Sequence, residues 1–309
     1  MAEPEVRSLE RLVSESARPV FAVVSGSVRA RCAGLLPFPI VSSFAEVPKE
    51  IGTLIVVGGG TLIDAAKIWR ADCRPRARLA AIPSVWGSGA EATRIAVTNE
   101  GGLKKIRVDD ALMPDVRAIV PEFAETLTPG MVKNGCGDAW AHAIEGFLSP
   151  LAGAEVRNDL AETMRRMLNA GIGNRPEWFE LSARAAAGQA QSSVGLIHGL
   201  AHVIEGPMRE AHPAQNFGHA GLCAVLAWPV LAFNTANSDK WGVLCAEYSL
   251  DRGAIEQTLR SLHDTEAFDL ARPFIKSLWT SILRDPCTRT NSALVRPNHL
   301  AFFIEGRFQ

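Results

Sequence analysis

The sequence has no excess of charge of either sign, and this absence limits the partners that it can bind. Its 32 lysines and arginines are balanced by 33 aspartates and glutamates, which gives a formal net charge of −1. Domains that bind nucleic acid carry a basic excess or a basic stripe that neutralises phosphates. We therefore expect no nucleic-acid partner.

Long apolar runs and paired cysteines are also missing. No stretch reaches the roughly 20 consecutive apolar residues that are needed to cross a bilayer. Residues 1–18 carry charges throughout and do not form the apolar run of a signal peptide. The six cysteines are scattered with no Cys-x-x-Cys spacing, which fits neither a disulfide framework nor a thiolate zinc motif. These observations predict a soluble, cytoplasmic protein with no membrane partner and with buried, reduced thiols.

The pattern of apolar residues along the chain changes near residue 127. Before that point, short apolar runs alternate with helical patterns and predict strands at residues 19–25, 39–41, 52–57, 79–82 and 118–120. Such alternation is typical of an α/β domain with a doubly wound, mostly parallel sheet. After it, helical periodicity covers residues 131–148, 154–170, 178–205, 219–233 and 254–263. We therefore predict an α/β domain over residues 1–127 and an all-helical domain over residues 128–309.

A glycine-rich turn lies between the clearest predicted strand and the helix that follows it. Gly58, Gly59 and Gly60 precede Thr61, and Asp64 lies on the first turns of the helix. Glycines let the backbone approach an anion closely, and the N–H groups at a helix start favour negative charge. The turn therefore predicts a phosphate-binding cradle, although a tight strand-to-helix turn without a ligand has the same pattern.

A second loop, with the sequence PSVWGSGAE over residues 83–91, follows the next predicted strand. The carboxyl ends of neighbouring parallel strands form the edge where α/β sheets bind ligands. The two loops therefore bracket a position where a ligand could bind, but for this segment alone an ordinary flexible loop is the favoured interpretation.

The helical half contains a pattern of metal-ligating residue types. Asp138 and His142 are four residues apart, as are His198 and His202, and His219 begins the next long helix. Residues four apart share one face of a helix. Carboxylate oxygens and imidazole nitrogens are ligands of borderline divalent metals. A single histidine is more often a buried core group, but two such pairs favour a metal site.

Together these motifs resemble the iron-containing (group III) alcohol dehydrogenases of the dehydroquinate synthase-like superfamily. The resemblance runs from about residue 53 to residue 234 and rests on five motifs in the same order. These are GGGTLIDAAK at 58–67, PSVWGSGAE at 83–91, LMPD at 112–115, GDAWAHAIE at 137–145 and HGLAH at 198–202. The resemblance implies a metal-dependent, NAD(P)-linked alcohol dehydrogenase or aldehyde reductase that associates as a homo-oligomer, most simply a dimer.

The resemblance also implies roles for particular residues. Fe²⁺ or Zn²⁺ would be held by Asp138, His142, His198 and one later histidine, while His202 would lie beside the nicotinamide and relay a proton. The later histidine is either His212, which has the family's usual spacing, or His219, which has the better local context and is favoured. Contacts to the dinucleotide are expected from Gly58, Gly59, Gly60, Thr61, Asp64, Ser84, Ser88 and Lys105.

The choice between NAD(H) and NADP(H) depends on the turn after the first predicted strand. The family has an acidic residue there, which accepts the ribose hydroxyls and disfavours a 2′-phosphate. Here Gly26 and Ser27 form the turn, no carboxylate is present, and Arg29 and Arg31 follow. Small residues and arginines accommodate a phosphate, so we expect contacts from Gly26 and Ser27 and a preference for NADP(H). The alternative is that both arginines are simply solvated.

Several departures from the family pattern lead to further expectations. Trp86 is bulky where the family has a small residue, so the nicotinamide pocket would be altered. No helix is predicted between the first two predicted strands, and residues 287–309 lack a clear helical pattern. Two other functions therefore stay open beside the dehydrogenase: a cyclase of the dehydroquinate synthase type, and a non-catalytic member of the family. The substrate would be a small-molecule alcohol or aldehyde, and a cleft left more open by a reduced helical domain would suit a bulky intermediate of a specialised biosynthetic pathway.

Overall fold

A parallel β-sheet occupies the first part of the chain and a set of helices the rest. The computed structural model describes residues 4–100, 103–215 and 217–308. Two compact units are present: the first contains residues 1–128 together with 174–183, and the second contains residues 129–173 and 184–309. The predicted boundary at 127 and 128 did not foresee that residues 174–183 belong to the first unit.

The first unit contains a six-stranded, all-parallel sheet with the strand order β1-β8-β5-β4-β2-β3. Its elements are β1 Glu5–Arg7, α1 Leu9–Glu15, β2 Val20–Val24, α2 Arg29–Leu35, β3 Ile40–Val41, β4 Thr53–Gly58, α3 Gly60–Cys73, β5 Arg78–Pro83, β6 Ile95–Glu100, β7 Leu103–Val108 and β8 Val116–Ala118. The predicted α/β fold with a parallel sheet is confirmed, and the last strand lies two residues earlier than expected. Strands β6 and β7 form a separate antiparallel pair that the sequence patterns did not reveal.

Strand β4 is the centre of this sheet, and every one of its residues is buried. Leu54 and Val56 pack with Val23 of β2, Leu79 of β5 and Ile63 of α3 in one apolar cluster. A parallel strand that is covered on both faces has a continuous apolar sequence, which is why β4 was recognisable. Its burial holds the following glycine turn in a fixed place.

The expectation that no helix lies between the first strands is wrong. A short 3-10 turn at Gly26–Val28 continues directly into α2, Arg29–Leu35. Only Val28 and Cys32 of this segment are buried, so the apolar periodicity is too weak to indicate a helix from sequence alone.

Residues 174–183 contribute one aromatic and one charged contact within the first unit. The ring of Phe179 meets that of Trp86 edge-to-face, with centroids 5.2 Å apart. The Glu180 carboxylate lies 2.7 Å from an Arg117 guanidinium nitrogen. Trp86 is only 3% exposed. These residues complete the packing of the loop that follows β5.

The second unit is built from helices, as predicted. Its elements are α4 Pro129–Leu148, α5 Ala154–Ala170, the later part of α6 Glu177–Ala190, α7 Leu196–Ala211, α8 His219–Asn237, α9 Lys240–Glu247, α10 Arg252–Leu262, α11 Thr265–Arg284 and α12 Leu300–Ile304. The stretch 178–205, which was expected to be one helix, is two helices separated at residues 191–195. This break places a helix start directly before His198.

Helix α8 is an exception to the expectation that no segment is long and apolar enough to cross a membrane. By length and composition it meets that criterion, but 67% of its apolar window is buried inside the protein. Leu222, Leu226 and Phe233 are at most 1% exposed. A central core helix of a helical unit has the same composition, and the packing of α8 explains its apolar character.

Candidate active site

The five residues of the predicted metal pattern lie on three helices of the second unit. Asp138 and His142 are on α4, His198 and His202 on α7, and His219 is the first residue of α8. Asp138, His142 and His198 are at most 8% exposed. Buried polar groups of this kind require partners, so their surroundings decide what they can do.

A close approach between α4 and α8 brings two of these helices together. A side chain at Gly137 would collide with Ala224, whose Cα atom lies only 2.6 Å from the position that a Cβ atom would take. The neighbours of these two residues, Asp138 and Cys223, therefore face one another across the helix contact. Glycine is needed here for close packing of the helices, and this packing shapes the site.

Three of the four predicted metal ligands are brought together, along with one residue that was not predicted. One ligand atom from each of Asp138, His198, His219 and Cys223 lies within 4.8 Å of all the others. The rings of His198 and His219 have centroids 5.4 Å apart. Cys223 was missed, although it follows His219 by four residues and so shares its helix face.

His142 lies beside this group but not in it. Its ring centroid is 4.7 Å from that of His198, yet it does not join the four mutually close ligand atoms. Its Nδ1 atom is buried and has no hydrogen-bond partner. The role of His142 as a ligand therefore stays a prediction.

Of the two candidates for the later histidine, only His219 lies with the cluster. His212 caps the end of α7 and packs its ring against Phe217 and Phe274, with both centroid distances at 6.0 Å. The geometry therefore favours His219, in agreement with the local sequence context.

Buried carboxylates orient two of the clustered histidines. Glu145 Oε2 lies 2.7 Å from Nδ1 of His198, and its other oxygen accepts the Ile197 N–H at 2.5 Å. Glu205 Oε2 lies 3.6 Å from Nδ1 of His219. In each case the carboxylate is on the Nδ1 side, so Nε2 is the atom of each ring that could ligate a metal. Carboxylates in this position commonly fix the orientation of metal-bound histidines.

The environment of Glu145 is dominated by burial. Desolvation raises the pKa of Glu145 to about 8. Hydrogen bonds from backbone N–H groups at the start of α7 favour the carboxylate and partly oppose this rise. No role was predicted for Glu145 from the sequence. Glu145 follows Asp138 by seven residues and so shares its helix face, and this spacing is the signal that could have identified it.

The chemistry of the donor set fits a divalent cation. Asp138 Oδ1 is buried and has no hydrogen-bond partner, as expected of an atom that faces a cation. A carboxylate, imidazoles and a thiol are together a typical set of ligands for zinc and related metals. The group is therefore suited to hold an ion.

His202, the predicted proton relay, lies next to the cluster. Its ring stacks on that of His219 with centroids 5.3 Å apart, and its Nδ1 atom is 3.8 Å from an Asp285 oxygen and 3.7 Å from Cys287 Sγ. Burial opposes the ionisation of Asp285, but hydrogen bonds and charge from His202 lower its pKa overall. Asp285 and Cys287 were missed because they are distant in sequence and follow no local pattern.

In the first unit, the glycine turn has the form that was predicted. Gly59 is the N-cap of α3, and Gly60 and Thr61 form the first turn of this helix. The Ser84 N–H donates to the Gly58 carbonyl at 3.0 Å, which joins the two loops. A Cβ atom at Gly60 would collide with the Ser88 hydroxyl. The two predicted loops are thus adjacent, with Thr61 and Ser88 exposed and Ser84 buried.

Asp64 has partners that were not expected. Its Oδ1 atom accepts from Lys67 Nζ at 3.0 Å, and Oδ2 accepts from the Val97 N–H at 3.0 Å. Lys67 is fully buried and also donates to the Ile95 carbonyl. The pair anchors the β6–β7 hairpin to α3, so Asp64 has a structural contact, and its contact with the cofactor stays a prediction. Lys105, the weaker candidate for a cofactor contact, is exposed on β7 of this hairpin.

The turn after β2 holds Gly26 and Ser27, both exposed. The Ser25 and Ser27 hydroxyls are 2.8 Å apart. Arg29 donates to the carbonyls of Ile40 and Val41. The arginines are therefore not simply solvated, because Arg31 likewise binds the Glu122 carbonyl and the Glu125 carboxylate.

Comparison with known proteins gives consistent matches. The model of the family "Iron-containing alcohol dehydrogenase" matches residues 41–121. The 1-propanol dehydrogenase PduQ of Salmonella typhimurium is 27% identical over 197 residues, which are 59% of this chain and 51% of that protein. The NADPH-dependent butanol dehydrogenase of Clostridium saccharobutylicum is 26% identical over 74% of this chain and 66% of its own length. The chain thus spans about half to two thirds of these two relatives.

Solved structures share the fold. The sulfoacetaldehyde reductase of Bifidobacterium kashiwanohense, in complex with NAD+, has a TM-score of 0.78 at 15% identity, with 99% of this chain and 97% of that chain covered. The maleylacetate reductase of Agrobacterium tumefaciens has a TM-score of 0.76 at 17% identity and covers 99% and 96% of the two chains. At these identities the likeness concerns the fold alone.

Proposed function

We propose, on the premise that this chain belongs to the iron-containing alcohol dehydrogenase family, that it catalyses reversible hydride transfer between a nicotinamide dinucleotide and a small alcohol or aldehyde. The observation that carries the proposal is the group of ligand atoms from Asp138, His198 and His219 with Cys223, all within 4.8 Å of one another. The relatives named propanol and butanol dehydrogenases suggest short-chain substrates.

Asp138, His198 and His219 would hold the metal, with His142 as a further predicted ligand. A bound Fe²⁺ or Zn²⁺ supplies Lewis-acid polarisation of an alcohol or aldehyde oxygen. The protein's own contribution is orientation: Glu145 fixes the His198 ring through its Nδ1 atom at 2.7 Å. Burial of this group keeps the carboxylate and rings in one arrangement, since exposed side chains would lose it to rotation.

His202 would move the proton. Asp285 and Cys287 lie on the Nδ1 side of its ring, at 3.8 and 3.7 Å. The Nε2 atom is therefore the one that exchanges a proton with the reacting oxygen or with solvent. A histidine held by a carboxylate in this way is a general acid–base group.

The glycine turn would bind the pyrophosphate of the cofactor. The N–H groups of Gly60 and Thr61 lie in the first turn of α3, where no residue four positions earlier in the helix accepts from them. Ser88, which packs on Gly60, and Ser84, which bonds to Gly58, would face the ribose or nicotinamide side. Gly58 and Gly59 supply the close backbone approach.

NADP(H) is proposed as the preferred cofactor over NAD(H). The support is the turn after β2, where Gly26 and Ser27 are exposed and a Cβ atom at Gly26 would meet nothing within 4 Å. No carboxylate occurs at residues 25–28 to repel a 2′-phosphate. The arginines contribute less than expected, because Arg29 and Arg31 have partners of their own.

The proposal is tested by measuring aldehyde-dependent oxidation of NADPH and NADH, with elemental analysis of metal on the same sample. The panel contains propanal, butanal and acidic aldehydes, together with the matching alcohols for the reverse direction. Turnover that is lost on chelation and restored by metal supports the proposal. A protein that binds cofactor and metal but turns over no member of the panel is a non-catalytic member of the family. Consumption of a phosphorylated sugar acid without net NADPH oxidation would identify a cyclase.

A cytoplasmic location and a homodimer are also proposed. The six cysteines, all among the residues that the structure describes, form no disulfide with one another, as is usual for proteins of a reducing compartment. The dimer rests on the family resemblance alone, and light scattering on a size-exclusion column measures it directly.

A further inference from the structure

Cys223 is a buried thiol inside the group of ligand atoms described above. It lies on α8, one helical turn after His219, and is fully buried. The contact of Gly137 with Ala224 aligns it with Asp138 on the facing helix α4. The thiol is therefore held in place by the packing of two helices.

The distances around Cys223 match those of a coordination sphere. Its Sγ atom is 3.7 Å from Nε2 of His219. A tetrahedral zinc with sulfur at about 2.3 Å and nitrogen at about 2.1 Å separates these two atoms by about 3.6 Å. All four ligand atoms of the group also lie within 4.8 Å of one another. Small adjustments of side chains are enough to close such a sphere.

A second observation points independently to a ligand at this place. Asp138 is 2% exposed, and its Oδ1 atom is buried without any hydrogen-bond partner. A buried carboxylate oxygen in this state costs free energy unless a cation or a donor faces it. The carboxylates of Glu145 and Glu205 lie on the Nδ1 side of the His198 and His219 rings.

We propose that Cys223 is a thiolate ligand of the catalytic metal and that the site therefore selects Zn²⁺ over Fe²⁺. The inference rests on the proposed metal-dependent function but concerns the identity of the ligands and of the ion. Thiolate is a soft ligand and shifts the preference of a mixed oxygen and nitrogen set toward zinc. On binding, the Cys223 thiol releases its proton to solvent and its sulfur forms the bond to the ion.

The competing interpretation is a thiol that donates a weak hydrogen bond to His219 and never binds metal. Cys287 is a second possible source of sulfur, since its Sγ atom lies 3.7 Å from Nδ1 of His202. The two interpretations and the two thiols are distinguished by spectroscopy on matched variants.

The experiment is X-ray absorption at the zinc edge on the zinc-loaded full chain. Three serine variants are compared with the wild type: Cys223→Ser, Cys287→Ser and Cys245→Ser, the last of which removes a buried thiol of α9. We expect one sulfur scatterer at about 2.3 Å from zinc in the wild type and in the Cys287 and Cys245 variants. The Cys223 variant should show nitrogen and oxygen scatterers only.

Proton release and metal preference give two further readouts. Titration of zinc into the weakly buffered protein should release about one more proton from the wild type than from Cys223→Ser. Anaerobic competition between Zn²⁺ and Fe²⁺ should show a zinc affinity reduced at least 10-fold in that variant, the lower end of the roughly 10- to 100-fold cost of losing even an outer-shell partner. Iron affinity should change less. Circular dichroism shows whether each variant is folded.

The outcomes separate this inference from the proposed function. If the folded wild type binds metal and reduces aldehydes but shows no sulfur scatterer, the thiolate ligand is overturned while the function stands. Loss of the sulfur signal in the Cys287 variant instead would also overturn it. If the folded wild type binds neither zinc nor iron, the metal-dependent function itself fails.

Discussion

At the scale of single residues, the site depends on a few buried polar groups whose partners are fixed by the fold. Asp138 keeps one oxygen without a hydrogen bond, and Glu145 holds His198 from behind. Each arrangement costs free energy in an empty site and is repaid when a cation binds. Substitutions of individual residues therefore have effects that depend on whether the residue lies inside or outside the cluster.

His198→Ala should lose bound metal and turnover together. The substitution removes a proposed ligand and leaves Glu145 without the imidazole that lies 2.7 Å away. Metal affinity should fall at least as much as the roughly 10- to 100-fold seen when an outer-shell partner is removed. The matched control is His212→Ala, whose ring packs on Phe217 and Phe274 away from the cluster. Metal content and kcat measure both effects, and a variant that retained both would remove His198 from the site.

Gly26→Asp should change the cofactor preference toward NADH. A carboxylate after β2 would accept the ribose hydroxyls and repel a 2′-phosphate, and a side chain at Gly26 meets nothing within 4 Å. We expect the ratio of kcat/KM for NADPH over NADH to fall at least 10-fold, which corresponds to about 1.4 kcal/mol. Gly34→Asp, at a similarly open position on α2, is the control and should leave the ratio unchanged. An equal ratio in all three proteins would place the 2′-phosphate elsewhere.

Glu91→Gln should flatten the pH dependence of stability. Burial raises the pKa of Glu91 to about 7, although Arg117 and Lys67 oppose the shift. The unfolded chain has a pKa near 4.5 at this position, so between these values the native state holds a proton that the unfolded state has lost. The contribution of Glu91 to the free energy of unfolding therefore falls as pH rises from 4.5 to 7, by at most about 3 kcal/mol, and is level above.

Urea unfolding at pH 5, 6, 7 and 8 checks this. Glu91→Gln should show a smaller decline between pH 5 and 7, because the contribution of Glu145, whose pKa burial also raises, is left. A control at exposed Glu50, Glu50→Gln, should keep the full decline. Parallel curves for the wild type and Glu91→Gln would show that Glu91 does not cause the dependence.

At the scale of elements, two helix contacts shape the site. Helix α7 begins after the break at residues 191–195, and its first N–H groups bind the Glu145 carboxylate. Helices α4 and α8 approach closely at Gly137 and Ala224. The i,i+4 pairs within helices were predictable, because both members of a pair lie on one local element. The break before α7 was missed, although Ser192, Ser193 and Gly195 are residue types that are typical of helix ends.

Gly137→Ala should disturb both stability and metal binding. The added methyl group would collide with Ala224, so α4 and α8 must separate. Overpacking of this kind typically costs about 1–3 kcal/mol. Gly130→Ala in the same helix is the control, because its Cβ atom meets nothing within 4 Å and helix propensity predicts a gain of up to about 1 kcal/mol. Thermal unfolding and zinc content measure the two effects. Equal stability of both variants would show that the helix contact tolerates the methyl group.

At the scale of the whole molecule, the division into a sheet unit and a helical unit followed from the sequence. The alternation of strands and helices, followed by a region without strands, is a property of long segments. An error in the bounds of one strand or helix does not change it. The site was predictable only in part. His219 and Asp138 follow helix periodicity, whereas Asp285 and Cys287 approach His202 only through the tertiary fold. The position of the His142 ring depends on side-chain torsions that no spacing specifies.

Zinc should stabilise the folded chain as a whole. A ligand that binds only the native state at 100 times its Kd adds about 2.7 kcal/mol, which raises Tm by roughly 5–10 °C for a unit of this size. Differential scanning fluorimetry with zinc after removal of metal by a chelator measures the shift. The same titration of His198→Ala should give a smaller shift. An equal shift in both proteins would place zinc binding outside the cluster.

Residues 174–183 belong to the first unit although they follow much of the second unit in sequence, and this has a consequence for synthesis on the ribosome. Phe179 covers Trp86, and Glu180 pairs with Arg117, yet both arrive long after the last strand of the sheet has been made. The indole and the guanidinium therefore lack these partners until α4, α5 and the start of α6 have been translated. The amino-terminal unit can therefore complete its packing only after part of the carboxyl-terminal unit has been translated. A fragment that stops at residue 128 would lack the contacts of Phe179 and Glu180.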